Sequence, residues 1–301
     1  MLISIVIPCH NCSETIHRAV ESVFSQTYTD WELIMVNNNS TDDTWVKLIN
    51  IKKNNPDKAI TVLDEKKKGA PAARNKGLYE AKGEWIQFLD ADDELLPNKL
   101  EKQIQQISDN VDALYSPYYS IKTKDTEQSY IILDDVWKAL LMSKIGITSS
   151  NLFRKIALLE IGGWDEKLSS SQDAKLVFDM LKNNKICLPV DILQTNVFAT
   201  ETSITRTHDK EKIKIIIKNY IDLRKDILQF LSNSGKNLTE YQKNYNRVFA
   251  DCYLWYFENA PIYTWTEYNK KTKDGLTNRL KTNYSFLRKL INNPNILKNI
   301  T

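Results

Sequence analysis

The first hundred residues alternate short apolar runs with amphipathic stretches. The apolar runs predict strands at 3–7, 31–36, 60–63 and 85–89, and the stretches between them predict helices at 13–24, 44–53 and 72–81. In the first helix Ile16, Ala19, Val20 and Val23 recur at helical spacing, with Ser13 as the predicted N-cap. This alternation is typical of an α/β fold whose mostly parallel sheet carries helices on both faces. Ligands bind such sheets at the carboxyl ends of the strands, which here carry polar residues.

The pattern changes twice further along the chain. Residues 111–198 are less regular, with a strand-like run at 113–116 and a helix predicted at 172–182. After Arg206 come long helical patterns at 209–232, 239–259 and 275–291. We therefore predict three parts, at residues 1–110, 111–205 and 206–301.

Charge is distributed unevenly over these parts. The formal net charge of +3 hides 18 Lys/Arg against 9 Asp/Glu from Arg206 onward, and 23 against 29 before it. The stretch 210–225 sets Lys and Arg between regularly spaced apolar residues, as in an amphipathic helix. Two interpretations stay open: a helix packed on the body with a solvated basic face, or a peripheral contact with anionic membrane lipid.

The location of the protein is suggested by what the sequence lacks. No stretch reaches the roughly 18–20 apolar residues of a membrane helix, and the first residues do not resemble a signal peptide. We expect a cytoplasmic protein, with a peripheral position on the inner face of the membrane as the alternative. The four cysteines are then expected to be free thiols. Cys9 and Cys12 have C-x-x-C spacing, but a zinc site would need two further ligands.

Three carboxylates follow the last of the early apolar runs, at Asp90, Asp92 and Asp93. In an extended chain Asp90 and Asp92 point to the same side, and two oxygen donors suit a hard divalent cation that also binds a diphosphate. An acidic turn before a helix is the alternative. The chain has 8 glycines and neither a P-loop nor a G-x-G-x-x-G segment, so a metal is the better candidate for neutralising phosphates.

Several segments in series resemble family 2 glycosyltransferases, which are inverting enzymes of the GT-A fold, here of the bacterial cell-surface polysaccharide type. The segments are Ser4-Ile-Val-Ile-Pro-Cys-His-Asn11, Ser22-Val-Phe-Ser-Gln-Thr-Tyr28, Gly69-Ala-Pro-Ala-Ala-Arg-Asn-Lys-Gly77, Asp90-Ala-Asp-Asp93, Gly162-Gly-Trp-Asp-Glu166 and Gln172-Asp173. They occur in family order over roughly residues 2–205. The resemblance implies a nucleotide-sugar-binding half at 1–110, an acceptor-binding half at 111–205 and a basic helical region at 206–301.

The resemblance also implies a set of donor-side residues. The nucleotide-sugar would contact Pro8, Asn11, Asn38, Arg74, Asp90 and Asp92. Asp92 and Asp90 would hold Mn²⁺ or Mg²⁺, with Asp93 and His208 as further metal-ligand candidates. The family commonly carries Asp where this chain has Asn38, which leaves the preferred base open. Arg74 could bind a phosphate or a sugar hydroxyl, and a surface ion pair is its alternative role.

On the acceptor side the resemblance implies that Asp173 is the general base. Asp173 starts the helix predicted at 172–182, where the helix dipole is expected to lower the pKa of its carboxyl group. The alternative is an Asp that only complements that dipole. Trp164 would stack on a sugar and Asp165 would bind its hydroxyls, with loop packing as the alternative for Trp164. The segment 198–205 lacks the Arg or His that the family often carries after the acceptor half.

Together these features predict a metal-dependent inverting glycosyltransferase of hexosyl- or N-acetylhexosaminyl type. The donor would be a nucleotide-diphospho-sugar, with a UDP-sugar favoured, and the acceptor a hydroxyl of a glycan or lipid-linked glycan. A sugar-phosphate nucleotidylyltransferase is an alternative, but it needs a Gly-rich basic loop after the first strand. A nucleic-acid-binding module at 206–301 is a second alternative, although no nucleic acid partner is expected.

Overall fold

The structure, a computed structural model, describes residues 1–122, 125–199, 206–272 and 276–293. The chain forms two compact units, residues 1–200 and 201–301. The strands of the first unit are β1 (Ile3–Cys9), β2 (Trp31–Asn37), β3 (Ile60–Asp64), β4 (Trp85–Phe88), β5 (Glu94–Leu95), β6 (Ala113–Tyr115), β7 (Tyr119–Ile121), β8 (Thr126–Gln128), β9 (Leu152–Arg154), β10 (Cys187–Pro189) and β11 (Thr195–Phe198). Its helices are α1 (Ile16–Phe24), α2 (Thr44–Asn54), α3 (Ala70–Glu80), α4 (Lys99–Ile104), α5 (Val136–Leu141), α6 (Lys155–Glu160) and α7 (Gln172–Lys182).

Two sheets are found among the described residues of the first unit. Seven strands form the larger one, in the order β10-β6-β9-β4-β1-β2-β3, and four form the smaller one, in the order β5-β11-β7-β8. In the larger sheet β1 runs parallel to both β2 and β4, while β9 runs antiparallel between β4 and β6. The predicted mostly parallel sheet is thus confirmed, with one reversed strand that the apolar pattern did not reveal.

Alternation along β1 explains how helices cover both faces of the sheet. Ile3, Ile5 and Ile7 point to one face and belong to the core that includes the apolar stripe of α1. Val6 points to the other face, where α3 packs. A Cβ atom on Gly77 of α3 would lie 2.3 Å from Cγ1 of Val6, so the helix approaches the strand this closely because position 77 has no side chain.

The reversal of β9 determines which loops meet at the binding edge. The carboxyl ends of β1, β2, β4 and β6 lie at one edge of the larger sheet, and the amino end of antiparallel β9 lies there as well. Residues 148–151, just before β9, therefore lie beside residues 90–93, just after β4. This edge carries the polar groups described below.

Some local predictions need correction. Helix α1 begins at Ile16 after Thr15, so Ser13 is not its N-cap; the backbone N–H of Ser13 instead donates to Asp42 (3.1 Å). The predicted helix at 172–182 is confirmed at its bounds, whereas α5, α6 and the strands of the smaller sheet were not predicted. Cys9, Cys12, Cys187 and Cys252 are buried free thiols, as expected.

The second unit is helical in its described part. It contains α8 (Lys210–Asn233), α9 (Thr239–Trp255), α10 (Pro261–Lys271) and α11 (Leu276–Asn292). Its core combines the apolar stripe of α8 with aromatic residues of α9, α10 and α11. The stripe, Ile213, Ile216, Ile217 and Ile221, is buried within the core of this unit, so it is not a membrane-inserting face. No described helix is both long and apolar enough to cross a membrane.

Candidate functional site

The acidic turn at residues 90–93 is closed by a backbone bond from Asp93 N–H to the Asp90 carbonyl (3.0 Å). The carboxylates of Asp90 and Asp92 are partly exposed at the sheet edge. Arg18 of α1 donates to the backbone carbonyl of Asp92 (2.5 Å) and lies 3.7 Å from the centre of the Phe198 ring. Arg18 thus fixes the backbone of the turn, while two of its three carboxylates remain partly exposed to solvent.

Arg74 links three parts of the site. Its guanidinium donates from Nη2 to Oδ1 of Asp90 (2.7 Å) and from Nη1 to Oε1 of Gln172 at the start of α7 (2.9 Å). It also lies 4.6 Å from the centre of the Trp164 ring. The side chain of Arg74 is only 6% exposed, so this is a buried ion pair and not the surface pair considered from the sequence. In this arrangement Arg74 connects α3, the acidic turn and α7.

Asp93 differs from its neighbours because its carboxylate points inward. It is 3% exposed and accepts hydrogen bonds from the Ser149 hydroxyl (2.6 Å) and from the backbone N–H of Phe198 (3.2 Å). Burial, followed by the negative charge of Asp90, raises its pKa well above the ordinary value. Both oxygens of Asp93 are therefore used within the protein, and the supporting role fits this geometry better than metal ligation.

Asp173 lies in the first turn of α7, as predicted, next to Gln172. Its Oδ1 accepts a hydrogen bond from the Thr148 hydroxyl. The expectation of a lowered pKa is wrong: removal from water raises the pKa of Asp173, and this outweighs the opposing effects of the Arg74 charge and the Thr148 hydrogen bond. The helix-dipole argument fails because it left out the free-energy cost of removing the carboxylate from water.

Residues 148–151, with the sequence Thr-Ser-Ser-Asn, form a buried polar segment that sequence reasoning missed. Thr148 binds Asp173, and Ser149 binds Asp93 and accepts from the backbone N–H of Asp90 (3.1 Å). Four consecutive small polar residues directly before an apolar run could have identified the segment. Such residues are buried when their hydrogen bonds are satisfied internally.

The donor-side loops are joined by hydrogen bonds. Asn11 has φ +47° and its side-chain carbonyl accepts from the backbone N–H of Thr41 (2.8 Å). Asn38 donates from Nδ2 to the carbonyls of Glu65 (3.0 Å) and Lys67 (2.7 Å). Its Oδ1 accepts from the N–H of Gly69 (2.8 Å), so the whole amide of Asn38 clamps the loop that leads into α3. Pro8, in contrast, lies within β1, where it pairs with Val36.

The acceptor-side loop at 162–166 is fixed by Asn75 of α3. Asn75 accepts from the backbone N–H of Trp164 (2.8 Å) and donates to its carbonyl (2.9 Å) and to Glu166 (2.7 Å). Trp164 is 3% exposed and meets the Phe88 ring edge-on, with ring centres 5.2 Å apart. A ring this deeply buried offers no face to a sugar, so loop packing accounts for Trp164. Asp165 stays partly exposed.

Asp90 and Asp92 are the partly exposed carboxylates of the turn, and carboxylate oxygens are suitable metal ligands. No group of three or more His, Cys, Asp or Glu able to hold a metal occurs among the described residues. Two carboxylates nevertheless fit a hard cation that takes its remaining oxygens from a diphosphate and from water. His208 lies in the second unit, where its Nδ1 is 2.9 Å from Oδ1 of Asn259. The segment 198–205, where the family often carries Arg or His, falls outside the described residues from 200 to 205.

Solved structures resemble most of this chain. S. aureus TarS in complex with UDP aligns with a TM-score of 0.56 at 18% identity, covering 86% of this chain and 82% of that one. The mannosyltransferase PcManGT from Pyrobaculum calidifontis, in complex with GDP-Man and Mn²⁺, aligns with a TM-score of 0.57 at 16% identity, covering 90% and 88%. These similarities confirm the predicted GT-A fold.

Sequence comparison is more specific. The Escherichia coli UDP-Glc:alpha-D-GlcNAc-diphosphoundecaprenol beta-1,3-glucosyltransferase WfgD is 32% identical over 187 residues, which are 62% of this chain and 72% of WfgD. WfaP, described by the same activity and from the same organism, is 42% identical over 119 residues, or 39% of this chain and 46% of WfaP. The family model for glycosyl transferase family 2 matches residues 4–160. The chain is therefore a glycosyltransferase that belongs to glycosyl transferase family 2.

Proposed function

We propose that this enzyme is a metal-dependent, inverting glycosyltransferase that uses a nucleotide-diphospho-sugar, with a UDP-sugar favoured. The observation that carries the proposal is the hydrogen-bonded arrangement of acidic turn, Arg74 and α7 start at one sheet edge. It brings two outward carboxylates, a permanent cation and the Asp173 carboxylate into one site. TarS complexes with UDP and with UDP-GlcNAc, and the names of WfgD and WfaP, support the choice of a UDP-sugar.

On the donor side, Asp92 and Asp90 would hold Mn²⁺ or Mg²⁺, and the metal would neutralise the charge that develops on the leaving diphosphate. Arg74 orients Asp90 by its ion pair and would add positive charge near a bound diphosphate. Arg18 keeps the turn in place through the Asp92 carbonyl. Mn²⁺ in the PcManGT complex supports a divalent ion in this fold.

On the acceptor side, Asp173 would take the proton from the attacking hydroxyl. Because Thr148 binds Oδ1, the proton would go to Oδ2. The raised pKa of Asp173 makes it a stronger base than an ordinary aspartate, while the Arg74 charge favours its ionised form. Attack on the face opposite the diphosphate inverts the anomeric carbon. Asp165, partly exposed in the neighbouring loop, is the remaining candidate for binding acceptor hydroxyls.

The acceptor would be a glycan hydroxyl carried on a lipid, as the names of WfgD and WfaP state for those enzymes. A surface of α11 supports contact with anionic lipid. Leu280, Tyr284, Leu287 and Ile291 recur at spacings of four and three residues and are 44–77% exposed. The helix carries four Lys/Arg and no acidic residue, so its charge favours contact with an anionic membrane surface.

A product assay tests the proposal. Purified enzyme is given UDP-Glc or UDP-GlcNAc, Mn²⁺ and a diphospholipid-linked sugar acceptor, and both UDP release and the extended lipid are measured. We expect D173N to lose at least about a hundredfold in turnover with little change in UDP affinity. Undiminished transfer by D173N would remove Asp173 from the mechanism, and failure of every sugar nucleotide to react would remove the proposed donor class.

A further inference from the structure

We propose that the adjacent residues Thr148 and Ser149 are positioning residues that hold the general base and the acidic turn in register. Thr148 fixes the Asp173 carboxylate, and Ser149 fixes the turn formed by residues 90–93. The inference rests on the proposed function, in which Asp173 takes the acceptor proton and the turn carries the leaving group.

The contact of Thr148 is specific to the base. Thr148 is 3% exposed, and its hydroxyl donates to Oδ1 of Asp173. A carboxylate at the first turn of a helix can rotate about two side-chain bonds, and this hydrogen bond, together with one from the backbone of Thr148, favours one orientation. Arg74 and Asp90 are the charged groups that also act on Asp173, and Tyr118 is the third titratable group close enough to interact with it.

Ser149 contacts both ends of the acidic turn. It is fully buried, and its hydroxyl donates to Oδ2 of Asp93 (2.6 Å) while accepting from the backbone N–H of Asp90 (3.1 Å). One hydroxyl thus uses its single proton and one lone pair to bridge the first and last residues of the turn. Gln87 of β4 holds the Ser149 carbonyl as well (3.0 Å).

The segment that carries these two side chains is itself fixed. The next residue, Ser150, donates to the Ser116 carbonyl (2.9 Å), and Asn151 donates to the Ile145 carbonyl (3.0 Å). The chain then enters β9, which is paired on both sides. Neighbouring Cα atoms are about 3.8 Å apart. The hydrogen bonds to the base and to the acidic turn therefore come from a single fixed piece of backbone. Transfer of the sugar to the acceptor hydroxyl requires the base and the leaving group to be held at a fixed separation.

Adjacent substitutions separate the two roles. T148V removes the hydroxyl at nearly equal volume, and we expect kcat to fall between about tenfold and about a hundredfold with an unchanged donor KM. T148S keeps the hydroxyl and is expected to recover most of the rate. S149A loosens the turn, so we expect the donor KM to rise several-fold. T264V is the matched control, because Thr264 of α10 is equally buried but its hydroxyl donates only to the carbonyls of Ala260 and Pro261.

The outcomes distinguish this inference from the proposed function. Equal kinetic losses in T264V and T148V, or a T148S rate as low as that of T148V, would overturn the positioning role. Normal kcat in T148V while D173N is inactive would also overturn it and leave the base assignment intact. An active D173N would instead contradict the proposed function. Circular dichroism and urea midpoints are measured for each variant, and T148A replaces T148V if the latter does not fold.

Discussion

Replacing Asn38 by aspartate tests whether its amide clamps the loop before α3. Asn38 is 5% exposed and donates to the carbonyls of Glu65 and Lys67. A carboxylate has no hydrogen to donate, so N38D would lose both bonds and bring negative charge against the two carbonyls. The Glu65 carbonyl would keep only its longer bond from Asn39 (3.2 Å). The bond from the Gly69 N–H would remain and become charge-assisted.

The size of the effect follows from these three contacts. Each of the two hydrogen bonds lost from the Asn38 amide costs about 1 kcal/mol, the usual net contribution of a hydrogen bond. Repulsion between the carboxylate and the carbonyls adds to this loss, and the strengthened Gly69 bond offsets about 1 kcal/mol. We expect a net loss of about 2 kcal/mol. For a unit of this size that corresponds to a fall in Tm of about 4–8 °C.

Thermal and urea unfolding of N38D measure this loss at pH 7. N50D is the control, because Asn50 is exposed on α2 and a change there reports only the added charge. A Tm within about 1 °C of the parent chain, combined with a changed preference among UDP, GDP and other nucleotides, would refute the clamp. That result would instead support the base contact that the sequence resemblance implied for Asn38.

Three further predictions concern other parts of the molecule. G77A should lower the free energy of unfolding in urea by about 1–3 kcal/mol, because its Cβ would lie 2.3 Å from Val6. The loss should be smaller in a V6A background. Equal losses in both backgrounds would contradict the close-packing explanation. Burial raises the pKa of Asp173, and a general base must be deprotonated to act. We therefore expect kcat/KM to decline as the pH falls, with a midpoint above the ordinary pKa range of aspartate. A kcat/KM that stays constant down to that range would contradict the assignment of Asp173 as the base. The double variant L280N/L287N should reduce co-sedimentation with phosphatidylglycerol vesicles and leave transfer to a detergent-solubilised acceptor unchanged. Undiminished vesicle binding would show that this face of α11 is not the membrane contact.

The sequence predicted the parallel half of the fold well because its signals are local. The apolar runs of β1, β2 and β4 are buried on both faces, and α7 has an apolar face of regular spacing. Each of these elements can therefore be recognised from its own residues. Strands of the smaller sheet are two to four residues long and depend on distant partners. No local pattern of that length specifies a strand.

The candidate site was predicted in position but only partly in chemistry. Asp90, Arg74 and Asp173 do lie at one edge, yet the direction of the Asp173 pKa was wrong because burial cannot be read from helix position alone. Trp164 was given a stacking role alongside packing, and its contact with Phe88 depends on residues far apart in sequence. The 148–151 segment was missed for the same reason: its partners come from β4, α7 and the acidic turn.

The central claim is that the acidic turn binds a divalent cation together with a nucleotide diphosphate. Isothermal titration of UDP into the purified protein, with Mn²⁺ and then with excess EDTA, tests it most directly, with D92N as the matched variant. We predict binding with Mn²⁺ that weakens at least about tenfold in EDTA or in D92N, which corresponds to about 1.4 kcal/mol. Equal UDP affinity in all three conditions would contradict the claim.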